Sequence, residues 1–162
     1  MQQITVRLIQ ASDNAALAQI IRTALTEFGA NKPGTVFYDE STDRLSSLFE
    51  QPGSVYFVAL EGETLLGGAG IFPTEGLPAG TCELVKMYLS AAARGKGTGR
   101  MLIDRCLNEA RAIGYTQCYL ETMPELRKAV SVYEKFGFTY LSQPLGNSGH
   151  FGCDVWMLKQ LD

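Results

Sequence analysis

Apolar and polar positions alternate along this chain in two rhythms, and the switches between them divide it into elements. Ile4 to Ile9 alternates with the period of a strand, and Leu17, Ile20, Ile21, Ala24, Leu25 and Phe28 then recur at helical steps. Ser12 or Asp13 is placed to cap that helix and Gly29 to end it. After the turn Asn31-Lys32-Pro33-Gly34, a shorter helix is expected over Thr42 to Glu50, stopped by Pro52-Gly53. Val55 to Leu60 and Leu65 to Phe72 read as a hairpin about Glu61-Gly62-Glu63. Gly67, Gly68 and Gly70 in its second strand point to a close backbone approach. Cys82 to Leu89 is apolar enough for a strand buried on both faces. A helix follows with Leu102, Ile103, Cys106, Leu107, Ala110 and Ile113 on one side and Gly114 at its end. Thr116 to Glu121 is another strand. Pro124 opens a last helix through Leu126, Ala129, Val130, Tyr133 and Phe136. Phe138 to Leu141 and Cys153 to Leu158 close the series, with a polar loop over Gln143 to Gly152 that holds the single histidine, His150.

The order β-α-α-β-β-β-α-β-α-β-β predicts one α/β (or α+β) domain over residues 1–162. Its sheet is mixed but mainly antiparallel, with six or seven strands and about four helices on its two faces. The length suits one domain with a sizeable core. No apolar run is long enough for a membrane span and the N-terminus lacks a signal-peptide core, so a cytoplasmic protein is expected. Cys82, Cys106, Cys118 and Cys153 form no metal-ligand spacing, which predicts buried reduced thiols and no metal. A net charge of −3 argues against a general nucleic-acid surface. The charge is divided unevenly: residues 1–80 carry nine acids and four bases, residues 81–162 eight acids and ten bases. Either this is ordinary surface variation, or the basic half suits a polyphosphate and the acidic half an incoming cation.

The stretch that carries chemistry joins the strand ending at Leu89 to the helix after Gly99. It reads Arg94-Gly95-Lys96-Gly97-Thr98-Gly99-Arg100. Glycines let successive N–H groups converge on one point. The helix N-terminus adds partial positive charge and unpartnered donors, and Arg94, Lys96 and Arg100 add formal charge. The ligand this predicts is an anion, most simply a pyrophosphate. The spacing fits neither a Walker loop nor a dinucleotide fingerprint. Arg94-x-x-Gly97-x-Gly99 does match the coenzyme A loop R/Q-x-x-G-x-G/A of the GNAT superfamily of N-acetyltransferases. Tyr119-Leu120-Glu121 and Val132-Tyr133-Glu134-Lys135-Phe136-Gly137-Phe138 resemble that family's second block. The element order is also the family's, so the resemblance spans nearly the whole chain while its motifs lie in residues 81–141.

The resemblance implies an acetyl-CoA-dependent N-acetyltransferase acting on a primary amine, most simply a small molecule, by direct attack in a ternary complex. It places the coenzyme against Met87, Tyr88, Leu89 and the loop Arg94 to Arg100, with backbone N–H groups of the strand meeting the oxyanion. It makes Tyr133 the acid that protonates the departing thiolate. Two carboxylates compete as base: Glu83, eleven residues before Arg94, and Glu121, twelve before Tyr133. Both face inward by strand alternation, and the sequence does not choose between them. Many relatives carry an asparagine seven residues before the tyrosine. This chain has Leu126, so that coenzyme contact is either lost or supplied elsewhere, with Arg127 and Lys128 as candidates. Phe37 and Tyr38 either wall an acceptor pocket or pack under their loop, and Asp154 and Trp156 are further acceptor candidates. By resemblance a homodimer through the last strands is open. The rival from another class is a coenzyme-binding sensor on the same fold without catalysis. A phosphotransferase would need a Walker lysine and metal carboxylates.

Overall fold

The computed structural model describes residues 3–124, 126–146 and 152–161. Seven strands, β1 (Ile4–Leu8), β2 (Val55–Glu61), β3 (Thr64–Phe72), β4 (Thr81–Leu89), β5 (Gln117–Thr122), β6 (Thr139–Leu141) and β7 (Val155–Gln160), form one sheet. Its order is β1-β2-β3-β4-β5-β7-β6. Every pairing is antiparallel except β4 with β5. Four helices accompany it: α1 (Asn14–Glu27), α2 (Leu45–Leu48), α3 (Thr98–Ile113) and α4 (Arg127–Lys135). The mixed, mainly antiparallel sheet with four helices is the architecture expected from the element order.

Strand alternation divides the core in two. From β2, Phe57 and Ala59 join Leu102, Ile103, Cys106 and Leu107 of α3, while Tyr56 and Val58 join Leu17, Ile21 and Leu25 of α1. Each helix lays an apolar stripe on its own face of the sheet, and removing these side chains from water is the main stabilising term. Gly29 and Gly114 lie just past α1 and α3 with φ of 70° and 114°, as helix-ending glycines should.

Some boundaries differ from the sequence reading. The second helix shrinks to Leu45–Leu48, because Glu40–Asp43 forms a separate 3-10 turn. The last helix starts at Arg127 rather than at Pro124, with Leu126 N–H donating to Met123 O at 3.0 Å across the intervening turn. Asp13 precedes α1 without capping it through its side chain. That carboxylate turns back to the Gln10 N–H at 2.8 Å and takes two bonds from Arg7, at 2.8 and 3.1 Å. Cys82, Cys106 and Cys118 are buried free thiols as expected; Cys153 is free, half-buried and just ahead of β7.

Two irregularities make the site. β4 and β5 pair only at Thr81–Gln117, Cys82–Cys118 and Glu83–Tyr119, so the rest of each strand diverges. On the other edge of β4, Gly68 pairs with Tyr88 and Gly70 with Val85. Lys86 and Met87 therefore stand opposite the single residue Ala69, which is a β-bulge. Lys86 takes a φ of 54° there. The glycines of β3 allow this. A Cβ on Gly67 would meet the Tyr88 carbonyl oxygen at 2.1 Å, and one on Gly68 the Tyr56 ring at 2.4 Å. Tyr56 fills the space that they leave, and its hydroxyl donates to Lys86 O at 2.8 Å.

Candidate active site

A cavity of about 320 Å³ occupies the opening between the diverging strands. One end is the Arg94–Arg100 loop. The floor is β4 from Glu83 to Leu89, and the far wall is Glu121 and Thr122 of β5 and Met123 just after it, with Leu126, Lys128 and Tyr133 from the turn before α4 and the helix itself.

At the loop end, Gly95 and Gly97 have φ of 81° and 77°, and no atom would crowd a Cβ on either. They serve backbone conformation rather than packing. Gly97 is the residue before α3, so the first turn of a 16-residue helix opens directly onto the loop. Arg94 lies across the Phe28 ring, 4.7 Å from its centroid, and pairs with Glu27 of α1. Lys96 turns away to Glu61, at 3.2 Å, and lies outside the cavity lining, whereas Arg94 and Arg100 line it.

The other end collects the titratable groups. Glu83 is 2% exposed, and Thr74 Oγ1 donates to its Oε1 at 2.5 Å. Glu121 accepts a bond from the Tyr119 hydroxyl at 2.7 Å, and that hydroxyl in turn accepts from Leu145 N–H at 3.0 Å. Burial and the bond to Glu121 push the Tyr119 phenol up, so it stays a donor. Both candidate bases thus border one cavity, each already held by a hydroxyl. Tyr133 is buried on α4 against Phe138, ring centroids 5.9 Å apart. Burial pushes its phenol well up, so it keeps its proton throughout the neutral range. Leu126 and Lys128 line the cavity but Arg127 does not.

The four acceptor candidates are not part of the lining. Phe37 packs with the α1 core and meets Tyr38 edge-on at 4.9 Å, while Tyr38 is largely exposed. Asp154 is exposed, and Trp156 stands opposite Glu121 in the β5–β7 pairing. His150 lies outside the described residues.

Several lining residues escaped the sequence reading. Thr35, 1% exposed, comes from the loop after α1, and Gly34 of that loop accepts a bond from the Gly152 N–H at 3.0 Å. Cys153 lines the same end; burial, with four carboxylates around it, pushes its thiol up to about 12, so it is not a nucleophile at neutral pH. Lys86 is the third, its ammonium 3.3 Å from Asp39 Oδ2. A lysine inside the apolar run Cys82 to Leu89 was the available signal. Among the described residues, no group of three or more His, Cys, Asp or Glu side chains could hold a metal ion, and no helix is long and apolar enough to cross a membrane.

Known proteins share the sequence and the fold of this chain. The chain is 40% identical over 163 residues to the uncharacterized N-acetyltransferase YjgM of Escherichia coli, covering 99% of this chain and 96% of that protein. An acetyltransferase of the GNAT family from Staphylococcus aureus superposes with a TM-score of 0.86 at 16% identity, covering 99% of this chain and all of the other. yncA from Salmonella typhimurium, solved with its cofactor acetyl-CoA, gives 0.76 at 24%, covering 99% of this chain and 95% of that one. The family model for the acetyltransferase (GNAT) family matches residues 16–138, a span that runs from α1 through the glycine loop to Phe138. The chain belongs to the GNAT family of acetyltransferases.

Proposed function

We propose that the protein transfers an acetyl group from acetyl-CoA to a primary amine of a small molecule by direct attack within a ternary complex. The observation that carries this reading is the continuity of one cavity from the glycine loop, past the bulged β4, to Glu83, Glu121 and Tyr133. The presence of acetyl-CoA in the Salmonella relative of the same fold supports the choice of cosubstrate.

In this reading the pyrophosphate lies over the N-terminus of α3, with Arg94 exchanging Glu27 for phosphate oxygens. Met87, Tyr88 and Leu89 offer backbone groups to the coenzyme arm, and Lys128 contacts it from α4. The bulge turns a β4 N–H out of the ladder toward the thioester oxygen, where negative charge develops. An amine with pKa about 10.4 is neutral in only about one molecule in 10³ at pH 7, so a proton must leave it before attack. Glu83 or Glu121 takes that proton, directly or through water. The amine nitrogen bonds to the carbonyl carbon, the carbon–sulfur bond breaks, and the thiolate takes the Tyr133 hydroxyl proton. Solvent then returns a proton to the phenolate. The inert Cys153 favours direct attack over an acetyl-enzyme.

Tyr133→Phe is expected to lower kcat by about 10²- to 10³-fold, the usual range for a proton-transfer group, with the acetyl-CoA Kd unchanged. A wild-type rate removes Tyr133 as the acid. Glu83→Gln and Glu121→Gln are each to be measured as kcat/KM against pH. The variant lacking the base loses the acidic limb of the profile and the other keeps it; two unchanged profiles overturn the carboxylate-base assignment.

A further inference from the structure

We propose that Lys86 is the specificity-determining residue of the acceptor site, and that it selects amines carrying a carboxylate. This rests on the acetyltransferase reading above and deepens it by naming the acceptor class: α-amino acids and closely related amino carboxylates.

Lys86 is costly to the fold in two ways. A lysine in the left-handed region is strained relative to ordinary backbone. Its side chain is also only 5% exposed, and a buried ammonium is expensive unless matched by charge. Nothing in the bulge itself requires a cation. The conformation is held by the Tyr56 hydroxyl on the Lys86 carbonyl, a contact that any side chain at this position would allow. A feature unfavourable in backbone and in solvation, and dispensable for the bulge, points to a role in the cavity that it lines.

Its surroundings define that role. Of the cations along the cavity, Arg94 and Arg100 belong to the coenzyme loop and Lys128 to α4. Lys86 stands on β4, three positions from Glu83, and lines the same cavity as Glu83 and Glu121. Asp39 Oδ2 takes one of its three donors, at 3.3 Å, which is a long bond for a charged pair. Asp39 lies just ahead of the 3-10 turn Glu40–Asp43 and its side chain is 31% exposed, so water can solvate its carboxylate when an acceptor carboxylate takes its place on Lys86. Glu83 and Glu121 supply negative charge for the acceptor's ammonium, and Lys86 supplies the complementary positive charge beside them. One acceptor satisfies both when its amine and an acidic group are a few bonds apart. Burial holds the Lys86 pKa below its ordinary value against the pull of Asp39 and Glu83, and an arriving carboxylate would raise it. A neutral amide at the same place brings no charge to replace the Asp39 carboxylate, so Lys86 keeps that partner and the amide gains less from the site than an acid does.

The test uses matched pairs: α-amino acids and their primary carboxamides as acceptors for turnover, and the corresponding N-acetyl acids and N-acetyl carboxamides for calorimetric binding to the coenzyme A-loaded protein. The proteins are wild type, Lys86→Met and Lys86→Arg. Wild type is expected to prefer the acids by at least tenfold in kcat/KM. Lys86→Met should bring the ratio near one with the acetyl-CoA KM unchanged, and Lys86→Arg should retain a preference for acids. Equal use of both members by wild type, or an undiminished preference in Lys86→Met, overturns the assignment while leaving the acetyltransferase standing. If no amine turns over but the N-acetyl acids still bind better than the carboxamides, and lose that advantage in Lys86→Met, the anion site stands and the acetyltransferase reading falls. If neither turnover nor binding separates the pairs, Lys86 has no such role.

Discussion

Asp13 and Lys86 differ in how far a residue's role can be read from its neighbours in sequence. Asp13 was legible as a polar residue at a helix start, but not in its partners. Its carboxylate collects the Gln10 N–H and both Arg7 nitrogens, which hold it below the usual carboxylate range. Asp13→Asn is therefore expected to destabilise the fold by about 1–2 kcal/mol at pH 7, the scale of charge-assisted bonds at a partly buried group. Because the folded pKa is depressed, that contribution is complete above the ordinary value of 3.8 and is lost as pH falls through the lower folded value. Urea midpoints of the two proteins should differ at pH 7, and the gap should narrow as pH falls below 3.8; a constant gap places the effect outside the carboxylate. Lys86 was the reverse case. Its type was visible in an apolar run, but its burial depends on Asp39, 47 residues away in sequence, and on a bulge that no local pattern announces.

At the scale of elements, the strand and helix order was legible because each segment keeps one period long enough to declare itself. Gly67, Gly68 and Gly70 also announced a close approach, and β3 shows what approaches: the Tyr88 carbonyl and the Tyr56 ring. What could not be read was the consequence, the extra residue on β4 and the exposed backbone it produces, since that belongs to a pair of strands rather than to either one. The start of α4 was likewise hidden. Pro124 is a plausible first residue by propensity, but the chain makes a separate turn before the helix begins. Gly68→Ala tests the account of the bulge. Its Cβ would lie 2.7 Å from the Phe57 carbonyl oxygen, which belongs to the paired backbone and cannot move away alone. A loss of about 1–3 kcal/mol is expected from such overpacking. Gly29→Ala is the control. Its φ of 70° brings strain, but nothing crowds its Cβ, and the cost should stay near 1 kcal/mol. Equal denaturation midpoints for the two variants would show that crowding beneath the bulge is not what those glycines relieve.

Over the whole molecule, the uneven charge seen in sequence has a spatial counterpart. The glycine loop and α3 come from the basic half, and the loop carrying Asp39 from the acidic half; the cavity lies where these meet at the divergence of β4 and β5. The same meeting leaves Arg94 on Glu27 and Lys96 on Glu61, pairs that bridge the two halves and that no motif foretold. The loop, Glu83, Glu121 and Tyr133 were legible because the family's motifs lie within single segments. The rest of the cavity lining was not, because Thr35, Lys86, Met123 and Cys153 come from four separate segments and are brought together only by the fold. The central claim concerns this one cavity, and one assay addresses it: release of coenzyme A from acetyl-CoA over a panel of primary amines, with mass detection of the products. Amine-dependent release with a mass gain of one acetyl group on the acceptor is predicted, strongest among amino carboxylates and lowered about 10²- to 10³-fold by Tyr133→Phe with acetyl-CoA still bound. Tight binding of acetyl-CoA with no acetylated product from any amine would contradict it.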